Sequence, residues 1–393
     1  MRTLLAAAVL LVACGNAESH RGRQVAGHPV EERPPNGRSQ KPIFPGQTRA
    51  PFRSAGVRFD VRTLARGLEH PWSLAFLPDG SMLVTERPGR LRLLPAGGGP
   101  LPPPIAGVPE VDARDQGGLF EVAVDPSFAD NGLIYLTWAE PRDGGNGTAV
   151  GRARLIRAGS AARLEDLEVL WRMTPTIDST KHFGGRLAFG RGGELFVTTG
   201  ERFVPEGRAK AQDPATGLGK VVRIAPGPPV VWSRGHRNIQ AAAIHPRTGA
   251  LWIVEHGARG GDEINLVERG GNYGWPVITY GIDYSGEPVG QGITAAAGMI
   301  QPLYFWDPSI APSGMAFYDA DLFPPWRGSL FVGALAGEHL ARLTLDGTRV
   351  IGEERLLPDR ARIRDVRVGP SGALFILTDE ENGELLELVP KGA

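Results

Sequence analysis

From Leu74 to Leu377 the chain repeats one arrangement of apolar and polar positions: a short apolar run, a turn containing glycine, and a second apolar run. The copies fall at 73–76 with 82–85, 122–125 with 133–137, 187–189 with 195–198, 241–246 with 251–254, 315–317 with 330–332, and 366–368 with 374–377. Runs this short, rich in β-branched and aromatic residues and separated by Pro-Asp-Gly, Asn-Gly, Gly-Gly or Ser-Gly, read as pairs of antiparallel strands. The spacing between copies leaves room for two further strands each. Six such units predict an all-β fold, a six-bladed β-propeller of four-stranded antiparallel blades. A chance series of hairpins in two sandwiches would need six matched copies by coincidence. A propeller gathers its loops at the mouths of a central channel, and the longest gap, between Gly249 and Gly328, is where functional insertions are expected.

Composition sharpens this picture. Gly (54) and Pro (34) are abundant and long amphipathic helical patterns are scarce, which suits strands joined by turns. Lys plus Arg equals Asp plus Glu at 43 each, so there is no basic footprint for nucleic acid. The single cysteine, Cys14, closes a short apolar run that follows Met1-Arg2. That run is too short to span a bilayer. The pattern predicts a lipoprotein signal over 1–14, with Cys14 lipidated and the protein exported and anchored in the bacterial envelope, on the periplasmic side. An ordinary secretory signal with an incidental cysteine is the plainer reading. Residues 15–55 are polar and broken by proline, which predicts a flexible tether before a domain over 56–393.

Four stretches carry chemistry. In Lys181-His182-Phe183-Gly184-Gly185-Arg186 a histidine, the side chain best suited to accept a proton near neutrality, precedes a strand. Its Gly-Gly pair would allow close approach by a ligand. In 235–240, His236-Arg237-Asn238 interrupts two apolar runs, and an arginine there suits an anion or a quinone oxygen. The run 255–263, followed by Asn272-Tyr273-Gly274-Trp275, offers backbone carbonyls and carboxylates of the kind calcium prefers. Arg362 and Arg364 share a strand face and would present two guanidiniums to a polyanion. Each stretch alone also reads as a turn, a packed core group or a solvated face. No G-x-S-x-G, P-loop, complete G-x-G-x-x-G or H-E-x-x-H occurs, which leaves serine hydrolysis, nucleotide hydrolysis and Rossmann cofactor use without support.

Taken together, 115–119, 182–186, 235–240, 255–276, 310–314 and 362–365 resemble the soluble quinoprotein glucose/sorbosone dehydrogenases, in particular bacterial aldose sugar dehydrogenases. The resemblance implies a propeller enzyme that binds pyrroloquinoline quinone (PQQ) and calcium and oxidises an aldose to its lactone, passing electrons to an external acceptor. It implies His182 as general base, with Glu201 beside it, and Arg237 as stabiliser of the charge on the quinone oxygen. Gln116, Asn238, Tyr284, Leu335, Ala336, Arg362 and Arg364 would contact the cofactor. Carbonyls of Gly257 and Ala258 would ligate its calcium, and Glu263 and Tyr273 match a second, structural calcium. Gln116, Asp262 and Trp306 would lie at the sugar. The chain departs from the family pattern at Ala336, where some relatives have lysine, and at Glu201, usually aspartate. His256, Ile239 and Ala258 depart as well. Two other classes fit a propeller with calcium: a lactone hydrolase, which has no use for the arginine pair, and a non-catalytic glycan- or protein-binding propeller.

Overall fold

Each two-run unit forms the two innermost strands of one blade. The computed structural model describes residues 24–158 and 161–392. The first blade holds Pro71–Phe76, Met82–Glu86 and Arg90–Leu94, and the second Leu119–Val124, Leu133–Arg142, Gly145–Ala158 and Ala161–Arg172. The third comprises Gly184–Phe189, Leu195–Thr199, Lys220–Ala225 and Val230–Arg234; the fourth Ile239–Ile244, Leu251–Glu255, Asp262–Leu266 and Tyr304–Trp306. Pro312–Phe317, Leu330–Ala334, His339–Asp346 and Arg349–Leu356 make the fifth. The sixth joins Ile363–Val368, Leu374–Thr378 and Gly383–Pro390 to Phe59–Leu68, whose register runs antiparallel from Phe59 opposite Pro390 to Leu68 opposite Gly383. The two ends of the ring therefore meet in one sheet.

Among the described residues five blades have four strands and the first has three. Residues 100–104 read Pro-Leu-Pro-Pro-Pro where a fourth strand would start. Proline donates no ladder hydrogen bond, and only Ile105 N–H reaches back, to the Leu91 carbonyl at 2.8 Å.

The second strand of every blade is buried along its length, apart from the ends of the long Leu133–Arg142 strand. Sheets packed on both faces give such continuous apolar runs, and this explains why strict alternation is weak in the sequence. Apolar clusters fill all six gaps between consecutive blades; Trp252, Ile264, Met315 and Leu330 fill that between the fourth and fifth. At about 25 cal/mol per Å² of apolar surface buried, these seams are the main stabilising term.

The innermost strands surround a channel closed by charge. Fully buried Arg186 ion-pairs at 3.1 Å with both Glu121 and Asp365, and donates from Nε to the Gln240 carbonyl at 2.7 Å. Arg367 closes the same cluster from Asp365 to Glu121. Four charges placed as two pairs offset one another's desolvation, and Arg186 is tied to two residues of the site described below through the Gln240 and Arg364 carbonyls.

Segment 24–55, expected as flexible tether, lies packed on the ring as a strap. Gln47 and Ala50 are buried, and Gln47 Nε2 donates to the Pro302 carbonyl at 2.9 Å. Amides of Asn36 and Gly37 donate to the two oxygens of Asp307 at 2.9 Å each, and Arg53 N–H reaches the Glu353 carbonyl. The composition is indeed too polar to form its own core; here the outer strands of the fourth and fifth blades supply the partner surface. Cys14 and the expected signal lie outside the described residues, and no described helix is long and apolar enough to cross a membrane.

Candidate active site

The chain presents chemistry at two kinds of position: just before an innermost strand and just after the second strand of a blade. Antiparallel pairing brings both to the same end of the ring. His70, Gln116, His182, Arg237–Asn238, Ala311 and Arg362 take the first kind of position, and Arg87, Glu201, His256–Gly257, Leu335 and Asp379 the second. They converge on one mouth.

A cavity of about 350 Å³ opens there. Its walls include Gln116, Asn238, Leu335, Arg362 and Arg364 from the expected cofactor set, together with His70, Arg87, His256 and Asp379. Arg364 bonds Asp379 at 2.8 Å and Gln240 Oε1 at 3.1 Å, while Arg362 reaches Asp379 at 3.4 Å and the Leu335 carbonyl at 3.3 Å. Burial alone would raise the Asp379 carboxyl, but Arg364, Arg87 and Arg362 hold it well below the usual carboxylate range. Three guanidiniums around one buried carboxylate leave positive charge over. The Nε atoms of Arg87 and Arg364 are buried without a partner. Such a wall suits a polyanionic ligand.

His182 stands beside this cavity, buried, with its backbone in the left-handed region at φ 51°. Its N–H donates to Gln116 Oε1 at 3.0 Å, and its Nδ1 lies 2.8 Å from Glu201 Oε1. Glu201 Oε2 accepts the Phe203 amide at 3.0 Å. Burial pushes Glu201 up to about 7, and burial with nearby Arg237, His256, Arg202 and Lys181 holds the imidazole well below its ordinary value. Above the Glu201 transition the carboxylate accepts Nδ1–H, which leaves Nε2 free to take a proton. Phe203 stacks edge-on against the imidazole at 4.8 Å, and exposed Tyr284 sits 6.0 Å from Phe203.

The glycines after His182 serve packing within the protein. A Cβ on Gly184 would meet Thr199 Cα at 2.5 Å, and one on Gly185 would meet the Phe120 ring at 2.9 Å. Gly184 also lines the main cavity, whereas Gly185 is seated against Phe120.

Arg237 belongs to a second, smaller cavity of about 10 Å³ with Glu255, Gly257, Glu263 and Tyr273. Its guanidinium contacts the Gly257 carbonyl and approaches the Tyr284 hydroxyl at 3.5 Å. Carbonyls of Gly260 and Gly261 crowd the place a Gly257 Cβ would fill. Among the described residues the Glu263 carboxylate has a single hydrogen bond, from Asn265 at 3.1 Å; burial, then the Glu255 and Asp262 charges, push its carboxyl well above the usual range. Carbonyls around an uncompensated carboxylate fit a calcium ion. Ala258 is buried in the same turn. Tyr273 lines this cavity while its hydroxyl donates to the Leu266 carbonyl and accepts the Glu268 amide and its ring stacks on His236.

Two expectations for the sugar contacts change. Trp306 is on the outermost strand of its blade, buried in the seam core, with its indole N–H on Glu353 at 3.2 Å; it faces away from the mouth. Asp262 is buried and spends both oxygens on the protein, one on the Gly257 amide and the other on Ser309 Oγ and the amides of Ile310 and Ala311. It shapes the turn without lining the main cavity. Ala336 is exposed, next to Leu335. Sequence reading missed His70, Arg87, Asp379 and Phe203. The signal for the first three was their position relative to the strand pairs.

A family model described as glucose/sorbosone dehydrogenase matches residues 68–387. The aldose sugar dehydrogenase YliI of Escherichia coli is 43% identical over 358 residues, covering 86% of this chain and 95% of that protein. A crystal structure of a glucose dehydrogenase superposes with a TM-score of 0.79 at 51% identity, over 84% of this chain and 99% of that one. The PQQ-bound aldose sugar dehydrogenase of Streptomyces coelicolor aligns at 28% identity with a TM-score of 0.69, over 84% and 99% of the two chains. With its blades, its mouth and these relatives in agreement, the chain belongs to the glucose/sorbosone dehydrogenase family of sugar-oxidising enzymes.

Proposed function

We propose that the protein oxidises an aldose at its anomeric carbon to the lactone, with PQQ and calcium as cofactors and an external electron acceptor. The observation that carries the reading is the His182–Glu201 pair set beside an arginine-walled cavity. When bound, PQQ supplies a quinone that accepts a hydride. Arg362 and Arg364 would hold its carboxylates, with Gln116, Asn238 and Leu335 around it. Arg237 supplies positive charge where an oxyanion develops. His182 takes the proton of the sugar hydroxyl at Nε2, and Glu201 keeps Nδ1 protonated and the ring aimed. Carbonyls of Gly257 and Ala258 would ligate the calcium that accompanies the cofactor, and Glu263 and Tyr273 would stand at a second, structural calcium. Phe203 and Tyr284 offer aromatic faces at the entrance to the sugar.

The test is reconstitution. Purified apoprotein is expected to reduce a dye with an aldose only after PQQ and calcium are both added. Lactone hydrolysis without PQQ, or no turnover after loading, would replace this reading with a hydrolase or a binding propeller. We further propose export and anchoring through a lipid on Cys14. A membrane-fraction protein whose N-terminal peptide carries no acyl mass would refute the anchor.

A further inference from the structure

Arg202 follows Glu201 in the chain and is fully buried, yet no part of the chemistry above uses it. Its backbone is left-handed at φ 73°, and so is that of Phe203 at 59°. Two successive non-glycine residues in that region store strain that their surroundings must hold. The guanidinium does the holding. Nη1 donates to the Lys181 carbonyl at 2.6 Å. Nη2 donates to the Ser179 carbonyl and to Asn146 Oδ1, and Ser179 Oγ returns a bond to the Arg202 carbonyl. The face of the guanidinium lies 3.5 Å from the centroid of the Phe183 ring. Arg202 N–H also reaches the His182 carbonyl at 3.3 Å. Residues on both sides of His182 in sequence are thus tied to one side chain. Asn146, itself buried, donates to Asp112 at 2.7 Å and extends the brace into the neighbouring blade.

We propose that Arg202 is a positioning residue for proton abstraction: its guanidinium braces the 179–183 turn and so holds the left-handed His182 between Glu201 and the cavity. The proposal rests on the reading of His182 as the base. A planar fork is needed, because three acceptors lie around it and a face must stack; lysine has the charge without the fork. The charged or titratable groups facing the imidazole are Glu201, Arg237, His256, Lys181 and Arg202 itself. Removal of Arg202 therefore has an electrostatic consequence besides a geometric one.

The experiment compares Arg202→Met and Arg202→Lys with the parent. The His182 imidazole is titrated by NMR in the apoprotein, assigned by its loss in His182→Asn, and kcat and KM are measured after loading. Arg202→Met is expected to raise the His182 midpoint and to lower kcat about 100-fold with KM for the aldose little changed, the cost of a misplaced catalytic group. Arg202→Lys is expected to keep the titration near that of the parent and still lose kcat. A parental titration together with parental kcat in Arg202→Met overturns the proposal. Should that variant not fold, parental kcat in Arg202→Lys overturns it. Absence of turnover in the parent itself counts against the dehydrogenase reading instead, and the imidazole titration then decides the brace alone.

Discussion

Glu201 Oε2 accepts the Phe203 amide while Oε1 faces His182, and that asymmetry makes a sharp prediction. In Glu201→Gln the amide of Phe203 will claim the carbonyl oxygen, so the side-chain NH₂ will point at Nδ1. The imidazole is then forced into the tautomer with Nε2 protonated, which cannot take the sugar's proton. We expect kcat to fall by about 10² to 10⁴-fold with the fold intact by circular dichroism; a loss under tenfold would show that the tautomer is not set by this contact. In the parent, burial raises Glu201 to about 7. Below that pH the carboxyl keeps the proton and the wrong tautomer prevails, so kcat/KM should drop as pH falls through about 7. A flat profile down to pH 5 would contradict the assignment. His182 was legible in the sequence because a histidine before a glycine-led strand is conspicuous. Arg202 was not, since its work consists of bonds to carbonyls that only the fold brings together.

At the level of strands, the glycine turns and paired apolar runs made the inner half of every blade readable. The outer strands were less so: they are irregular in length, and the prolines at 100–104 remove one altogether. Trp306 was misplaced for the same reason, as a motif neighbour in sequence can lie a full blade-width from the channel. Gly185 shows how tightly an inner strand is seated. Its φ is 103°, and a methyl there would run into Phe120, which also packs on Phe183 at 5.4 Å. Gly185→Ala should lose about 2 kcal/mol by denaturant unfolding. Unaltered stability would mean that the Phe120 ring moves aside freely.

For the whole molecule, the strap over 24–55 lies outside the stretch matched by the family model. It bonds Asp307, Pro302 and Glu353 on two outer edges, so a chain starting at Gly56 should fold and turn over but unfold at least about 5 °C lower. An unchanged midpoint would mark the strap as ornamental to stability. Polar composition concealed it: a segment without a core of its own reads as disordered unless the surface that receives it is known.

The sheet shared by Phe59–Leu68 and Gly383–Pro390 has a bearing on biogenesis. An N-terminal strand must wait, unpaired, while more than three hundred further residues are made and delivered. During that interval two raw sheet edges face the surroundings, inviting β-pairing between copies. Delivery of the Gly383–Pro390 strand is thus the step that ends vulnerability to aggregation, and its loss would harm yield more than a deletion of equal length in a surface loop.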